Sequence, residues 1–199
     1  MQFNIISPSR FKTVPWKNGR GSTKELLFEN IEGEDIFAWR LSMAPVTSDG
    51  IFSDFSGYDR TLILLEGNGI TLSYDNGQLN SLNKRFDLAQ FDGGWTTEAT
   101  LQQGEITDFN VITRQGVCAA QIDILRENGE HRLTVDTDLL LIYPLDDAIE
   151  LLTPILETMN LAATNLLQVI SPPAGVWEIN GEAVICIQIN YLTGVLKDE

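Results

Sequence analysis

The chain has 199 residues, 43% of them apolar, and a formal charge of −15 at pH 7. That length accommodates one large domain or two small, intimately packed ones, with ample material for a core. The charge argues against nucleic acid, because phosphate binding needs a basic face and a negative field repels it. No apolar run reaches the roughly 18 to 20 residues of a membrane helix, and Met1–Pro8 lacks the basic flank and long apolar stretch of a secretory signal. A soluble, cytoplasmic protein is expected, with Cys118 and Cys186 as buried free thiols in a reducing compartment. Charge is uneven: Leu133 to Leu196 contains no Lys or Arg, so cations for an anionic small molecule must come from the first two-thirds.

In chain order, the first distinctive stretch is Val14-Pro15-Trp16-Lys17-Asn18-Gly19-Arg20-Gly21-Ser22-Thr23-Lys24-Glu25. It combines an indole, cations, an amide, glycines and hydroxyls in a non-helical segment, a mixture suited to a loop that binds small polar molecules. Trp16 is either a core plug or an aromatic wall. Lys17 and Asn18 are candidate ligand contacts, and Glu25 is expected to neutralise Lys17 or Lys24. Period-two patterning then dominates. In Phe37–Met43 the large apolar residues take one face, and Arg40 with Ser42 the other. Thr61–Leu65 reads as a buried strand ending at a Gly67-Asn68-Gly69 turn. Ile70–Tyr74 and Gln78–Asn80 flank Asn76-Gly77, a hairpin signal because Asn-Gly tolerates positive φ. The same reading predicts hairpins around Asn128-Gly129 and Asn180-Gly181. Along Asp108–Arg114, alternation places Asp108, Asn110, Ile112 and Arg114 together. Such polar faces point to solvent in a sandwich but into the lumen of a small barrel, where Arg can grip a carboxylate with a two-pronged fork. Arg60 follows Asp59, and the pair is either a local ion pair or a guanidinium fixed at a pocket rim. Pro154 limits Asp146–Met159 to strand, turn and at most a short helix.

Short strands with regular turn signals suggest an all-β barrel or sandwich. A weak repeat relates Thr61–Gly67 and the apolar positions to Phe91 with Leu139–Leu145 and those to Val169, which two copies of a small β-barrel would explain. The chemistry is sparse. His131 is the only histidine, so a histidine-rich metal cluster is not expected. No nucleophile elbow is present, and thiols among apolar residues are inert.

Three segments together carry a resemblance: Pro15–Glu25; Trp39–Ser42 continuing through Asp49–Gly67; and Asp108–Arg114. They resemble the HutD/Ves family, bacterial cytoplasmic proteins with a double cupin (bicupin) fold. The likeness is good over about residues 1–115 and extends over 116–199 only as a second, degenerate barrel. The chain departs from the family at Arg20, where glycine is usual, at Ile51 and Ser56, where proline is common, and at Ile112, where methionine is usual. The resemblance implies one compact all-β bicupin unit with the pocket in the first cupin. It also implies a sensing or regulatory role toward a carboxylate metabolite of histidine utilization, formylglutamate- or urocanate-like. Combined with the polar faces, it makes Trp16, Lys17, Asn18, Arg40, Arg60, Asn110 and Arg114 the expected ligand-binding set, with no metal or cofactor. No membrane or nucleic-acid partner is expected, and a homodimer is left open. Two other readings stand beside the binder: a metal-independent isomerase or hydrolase using Lys17, Glu25 or Asp108, and a stress-associated interaction module with an acidic surface.

Overall fold

The computed structural model describes residues 1–16 and 21–192. They form nineteen strands and one short 3-10 turn, with no α-helix among them. The chain divides into two compact units, Phe11–Val117 and Met1–Arg10 with Cys118 onward.

The first strand, β1 (Gln2–Ile6), belongs to the second unit. The unit Phe11–Val117 holds β2 (Lys12–Pro15), β3 (Ser22–Asn30), β4 (Phe37–Val46), β5 (Gly50–Ile51), β6 (Tyr58–Glu66), β7 (Ile70–Tyr74), β8 (Leu79–Leu82), β9 (Leu88–Asp92), β10 (Thr97–Leu101) and β11 (Ile106–Arg114). One sheet runs β2-β3-β4-β11-β6-β9 and the facing one β5-β10-β7-β8. Leu62, Leu64, Ala89, Phe91 and Ile106 of the first sheet pack on Ile70, Leu72, Tyr74, Leu82 and Ala99 of the second. The interior between the sheets is thus apolar at the Ile106 end of β11. The Asn76-Gly77 hairpin forms as expected: β7 pairs with β8, and Gly77 takes φ +82.

The second unit completes itself with β12 (Cys118–Leu125), β13 (Gly129–Val135), β14 (Leu139–Pro144), β15 (Ile149–Leu152), β16 (Thr158–Leu161), β17 (Leu166–Ile170), β18 (Gly175–Gly181) and β19 (Val184–Tyr191). Its sheets are β1-β17-β14-β19-β12 and β13-β18-β15-β16. The order β4-β11-β6-β9 in one unit corresponds to β12-β19-β14-β17 in the other, and β5-β10-β7-β8 to β13-β18-β15-β16. The correspondence extends to a strained detail. Phe86 and Thr164, each two residues before the last matching strand, have φ of 70° and 62°. Their amides donate to the Leu64 and Pro144 carbonyls respectively. A positive φ is uncommon outside glycine, so the shared kink argues for duplication more strongly than the apolar ladders do.

Two expected hairpins do not form. β12 pairs with β19 and β13 with β18, so Asn128-Gly129 carries the chain from one sheet to the other. Asn180-Gly181 does the same between β18 and β19. In a jelly roll, many sequence neighbours lie in opposite sheets, and a turn-forming dipeptide serves a crossing as readily as a hairpin. The Asp146–Met159 segment is strand, turn and the start of a second strand.

The second interior is filled by Leu133, Leu140, Ile142, Leu161, Leu167, Trp177, Val184, Cys186 and their neighbours, all buried. Trp177 is fully enclosed. Trp177→Ala is expected to cost about 3 to 5 kcal/mol, the range for emptying a large core aromatic. Denaturant unfolding checks this, and the variant should keep any ligand response that belongs to the other unit.

Candidate functional site

The interior face of the six-stranded sheet is built row by row from strand register. Asn110 pairs with Ser42 on β4 and Leu62 on β6, and Ile112 pairs with Arg40 and Arg60. Arg60 in turn lies beside Phe91. Antiparallel partners project to the same face, so Arg40, Arg60, Asn110 and Asp108 share one concave surface. Burial grades along it. The Arg40 and Glu25 side chains are 16% and 15% exposed, whereas Asp108 is 2% and both Arg60 and Asn110 are 6%.

Asn110 is the link. Its Oδ1 accepts from Arg60 Nη2 at 2.7 Å and its Nδ2 donates to Asp108 Oδ1 at 2.8 Å. The Arg60 guanidinium carbon sits 5.3 Å from the Phe52 and Phe55 ring centroids and 5.2 Å from that of Phe91. The aromatic faces attract the cation, which offsets part of its dehydration. Among the described residues, Arg60 Nε is the one buried side-chain nitrogen or oxygen without a hydrogen-bond partner. Such an orphan costs free energy, about 1 to 3 kcal/mol or more for a charged group, unless a partner arrives.

Electrostatics follow from this burial. Dehydration raises the Asp108 carboxyl to about 7, against the pull of Arg60 and the hydrogen bonds from the Ala44 amide and Asn110. Dehydration likewise lowers Arg60, to about 10, which still leaves it charged at neutral pH. Burial raises the nearby Tyr74 phenol to about 12. Closer to the exposed end, Arg40 Nε donates to Glu25 Oε2 at 2.8 Å. Glu25 is thus paired with Arg40; of its two expected partners, Lys24 is not bonded to it and Lys17 lies outside the described residues. The Arg40–Glu25 pair is neutral and burial favours the uncharged form of Asp108, while Arg60 meets the Asn110 amide and not a carboxylate.

The expected ligand-binding residues divide accordingly. Arg40, Arg60 and Asn110 come together. Arg60 makes no pair with Asp59, whose carboxylate accepts from Gln115 on the other side of β6. Trp16 sits at the β2–β3 turn. Its indole N–H donates to Thr23 Oγ1 at 2.8 Å, and its ring lies 3.0 Å from where a Cβ on Gly21 would stand. Lys17, Asn18 and Arg20 lie outside the described residues. Arg114 stacks over Tyr58 at 4.9 Å and donates to the Ser56 carbonyl. Phe52, Phe55 and Phe91 were missed by the sequence reading. The available signal was Arg60 itself, which alternates with Leu62 and Leu64 and so must face a core. His131 bonds the Glu127 carbonyl through its ring. No group of three or more His, Cys, Asp or Glu able to hold a metal occurs among the described residues.

The equivalent positions of the second unit supply a control. Register places Leu140 where the first has Arg60, Cys186 for Asn110 and Val184 for Asp108. Trp177 stands where the first has Thr97. The fold is therefore satisfied by apolar residues at all three polar positions.

Two barrels of one topology in one chain, one polar-lined and one filled, define a double cupin. Residues 8–187 match the HutD family model, and the chain belongs to the HutD family. An uncharacterized 21.2 kDa protein in the hutC 3′ region of Pseudomonas putida is 39% identical over 111 residues. The matched segment is 56% of this chain and 58% of that protein, so the chain spans a little over half the length of that curated relative. A conserved protein of unknown function from Pseudomonas aeruginosa PAO1 superimposes with a TM-score of 0.84 at 31% identity, covering 96% of this chain and 100% of that one. HutD from Pseudomonas fluorescens SBW25, solved in a formate condition, gives a TM-score of 0.82 at 26% identity, covering 96% and 99%.

Proposed function

We propose that this protein binds a small carboxylate metabolite linked to histidine utilization, formylglutamate- or urocanate-like, in a sensing or regulatory role. The carrying observation is the Arg60–Asn110–Asp108 trio, whose Arg60 Nε lacks a partner while the second barrel fills the same positions with Leu, Cys and Val. Buried polar groups that the fold does not require are retained at a stability cost, which is the mark of a binding site. A buried guanidinium bonded to an amide and not to a carboxylate favours an anion, and a carboxylate supplies the acceptor that Nε lacks. Family membership and the hutC-region relative support the metabolic setting.

A second reading rests on Asp108, poised at about 7, where a carboxyl transfers protons in either direction near neutral pH. In that reading the protein is a metal-independent isomerase or hydrolase.

Thermal-shift measurements with formylglutamate, urocanate and glutamate, with and without divalent metals, test the binder. A ligand at ~100 times its Kd adds about 2.7 kcal/mol, a rise of roughly 5 to 11 °C for a chain of this length. No shift with any acid in a cooperatively melting protein would remove the carboxylate reading. Product detected by NMR in the same samples, and lost in Asp108→Asn, would move the protein to the enzyme class.

A further inference from the structure

Arg114 was expected among the ligand contacts, yet its observed contacts are with the segment between β5 and β6. Its guanidinium carbon lies 4.9 Å from the Tyr58 ring centroid, and its Nη1 donates to the Ser56 carbonyl at 3.4 Å. Gly57 makes room for this arrangement. It takes φ +82, and a Cβ there would stand 2.5 Å from Arg114 Nη1. The same segment carries Phe52 and Phe55, two of the three rings around Arg60. Phe55 further packs edge-on against Tyr58, with Phe37 6.3 Å away.

We propose that Arg114 is a positioning residue for the candidate site: by clamping Ser56–Tyr58 it holds Phe52 and Phe55 over Arg60 and so controls access to that guanidinium. The segment's other ties include backbone bonds from the Phe52 amide to Thr97, from Phe55 to Gly93, from Gly93 to Tyr58 and from Gln115 to Gly57, and bonds from the Ser56 amide and hydroxyl to the Asp54 carboxylate. Arg114 is the side chain that joins the Ser56 carbonyl, the Gly57 backbone and the Tyr58 ring in one contact. Arg114 is only part-buried although the Tyr58 ring beneath it is buried, and one cation–ring contact can bias a local opening without holding the barrel together. Losing the clamp should therefore open the cap without unfolding the protein. The functional weight of the clamp rests on Arg60 being the ligand contact, but the clamp itself can be read without any ligand.

The test is the initial rate at which phenylglyoxal, an arginine-selective reagent, modifies Arg60 in the full chain, followed by peptide mass spectrometry. Arg60 should be protected in the wild type. It should react about ten-fold faster in Arg114→Ala and in Gly57→Ala, with Arg114→Lys intermediate because it keeps the charge over Tyr58 but not the planar fork. Arg40 serves as an internal reference and its rate should not move. Unchanged Arg60 rates in both Arg114→Ala and Gly57→Ala overturn the assignment. A rise matched at Arg40 also overturns it, because it signals general loosening, as does an Arg60 already reactive in the wild type. Failure of every acid in the thermal-shift series would instead count against the carboxylate reading while leaving Arg60 protection as predicted.

Discussion

Arg60→Met is expected to remove the thermal response to carboxylates while leaving the protein within about 1 kcal/mol of wild-type stability. Two opposed terms set that figure. The substitution frees the fold from a dehydrated guanidinium whose Nε has no partner and places an apolar, polarizable side chain among Phe52, Phe55 and Phe91. Against this, the Asn110 Oδ1 loses its donor, a penalty of about 1 to 3 kcal/mol. Replacing buried charge by well-packed apolar groups is often neutral or stabilising, whereas removing one partner of a structural buried pair costs about 3 to 5 kcal/mol. Chemical denaturation distinguishes these cases. A loss of 3 kcal/mol or more would mean that Arg60 holds the barrel together, and the argument for a binding site would go with it. The tolerance of Leu140 at the matching position of the second barrel is the reason to expect the smaller value.

Asp108→Asn should change the pH dependence of stability in a defined sense. A carboxyl at about 7 in the folded protein and about 3.9 in the unfolded chain binds more protons when folded, between those two values. Stability linked to this group is therefore fully present below about pH 4 and is lost as pH rises toward 7, with no further change above. Most carboxylates that gain partners act in the opposite direction. The difference between wild type and Asp108→Asn isolates the one group, and the variant should gain on the order of 3 kcal/mol relative to wild type between pH 4.5 and 7.5. Urea denaturation at both pH values checks it. A difference that stays flat across this range would show that Asp108 titrates as an ordinary carboxylate, and the acid–base reading would lose its only support.

How much of this was legible in the chain depends on how local each feature is. Period-two alternation is a property of one strand, and it placed β4, β6 and the shared face of Asp108 and Asn110. The Asn76-Gly77 hairpin was equally local. Asn128-Gly129 and Asn180-Gly181 misled because a turn dipeptide fixes the backbone bend and not the sheet that the next strand joins. The cage around Arg60 was out of reach for a related reason. Phe52 and Phe55 come from an irregular segment and Phe91 from β9, and only the closed barrel gathers them. Arg60 was read beside Asp59, although residues adjacent in a strand face opposite sides, so that pairing was the less compatible with β structure. Register, once known, also exposes the absence of the trio from the second barrel, which no scan of the sequence had aligned.

The pairing of β1 with β17, Gln2 opposite Ile170 and Ile6 opposite Leu166, sets an order of assembly. During synthesis the first strand emerges long before its partner, whereas every strand of the Phe11–Val117 unit has been made by the time Val117 appears. The site-bearing barrel is in effect an insertion between two pieces of its sibling. Domains fold as units once their sequence is complete, and closing β1 onto β17 spans more than 160 residues, a slow long-range step. A nascent chain should thus close the barrel that holds the Arg60–Asn110–Asp108 trio while the second barrel is still open, so that the candidate site is complete on an unfinished protein.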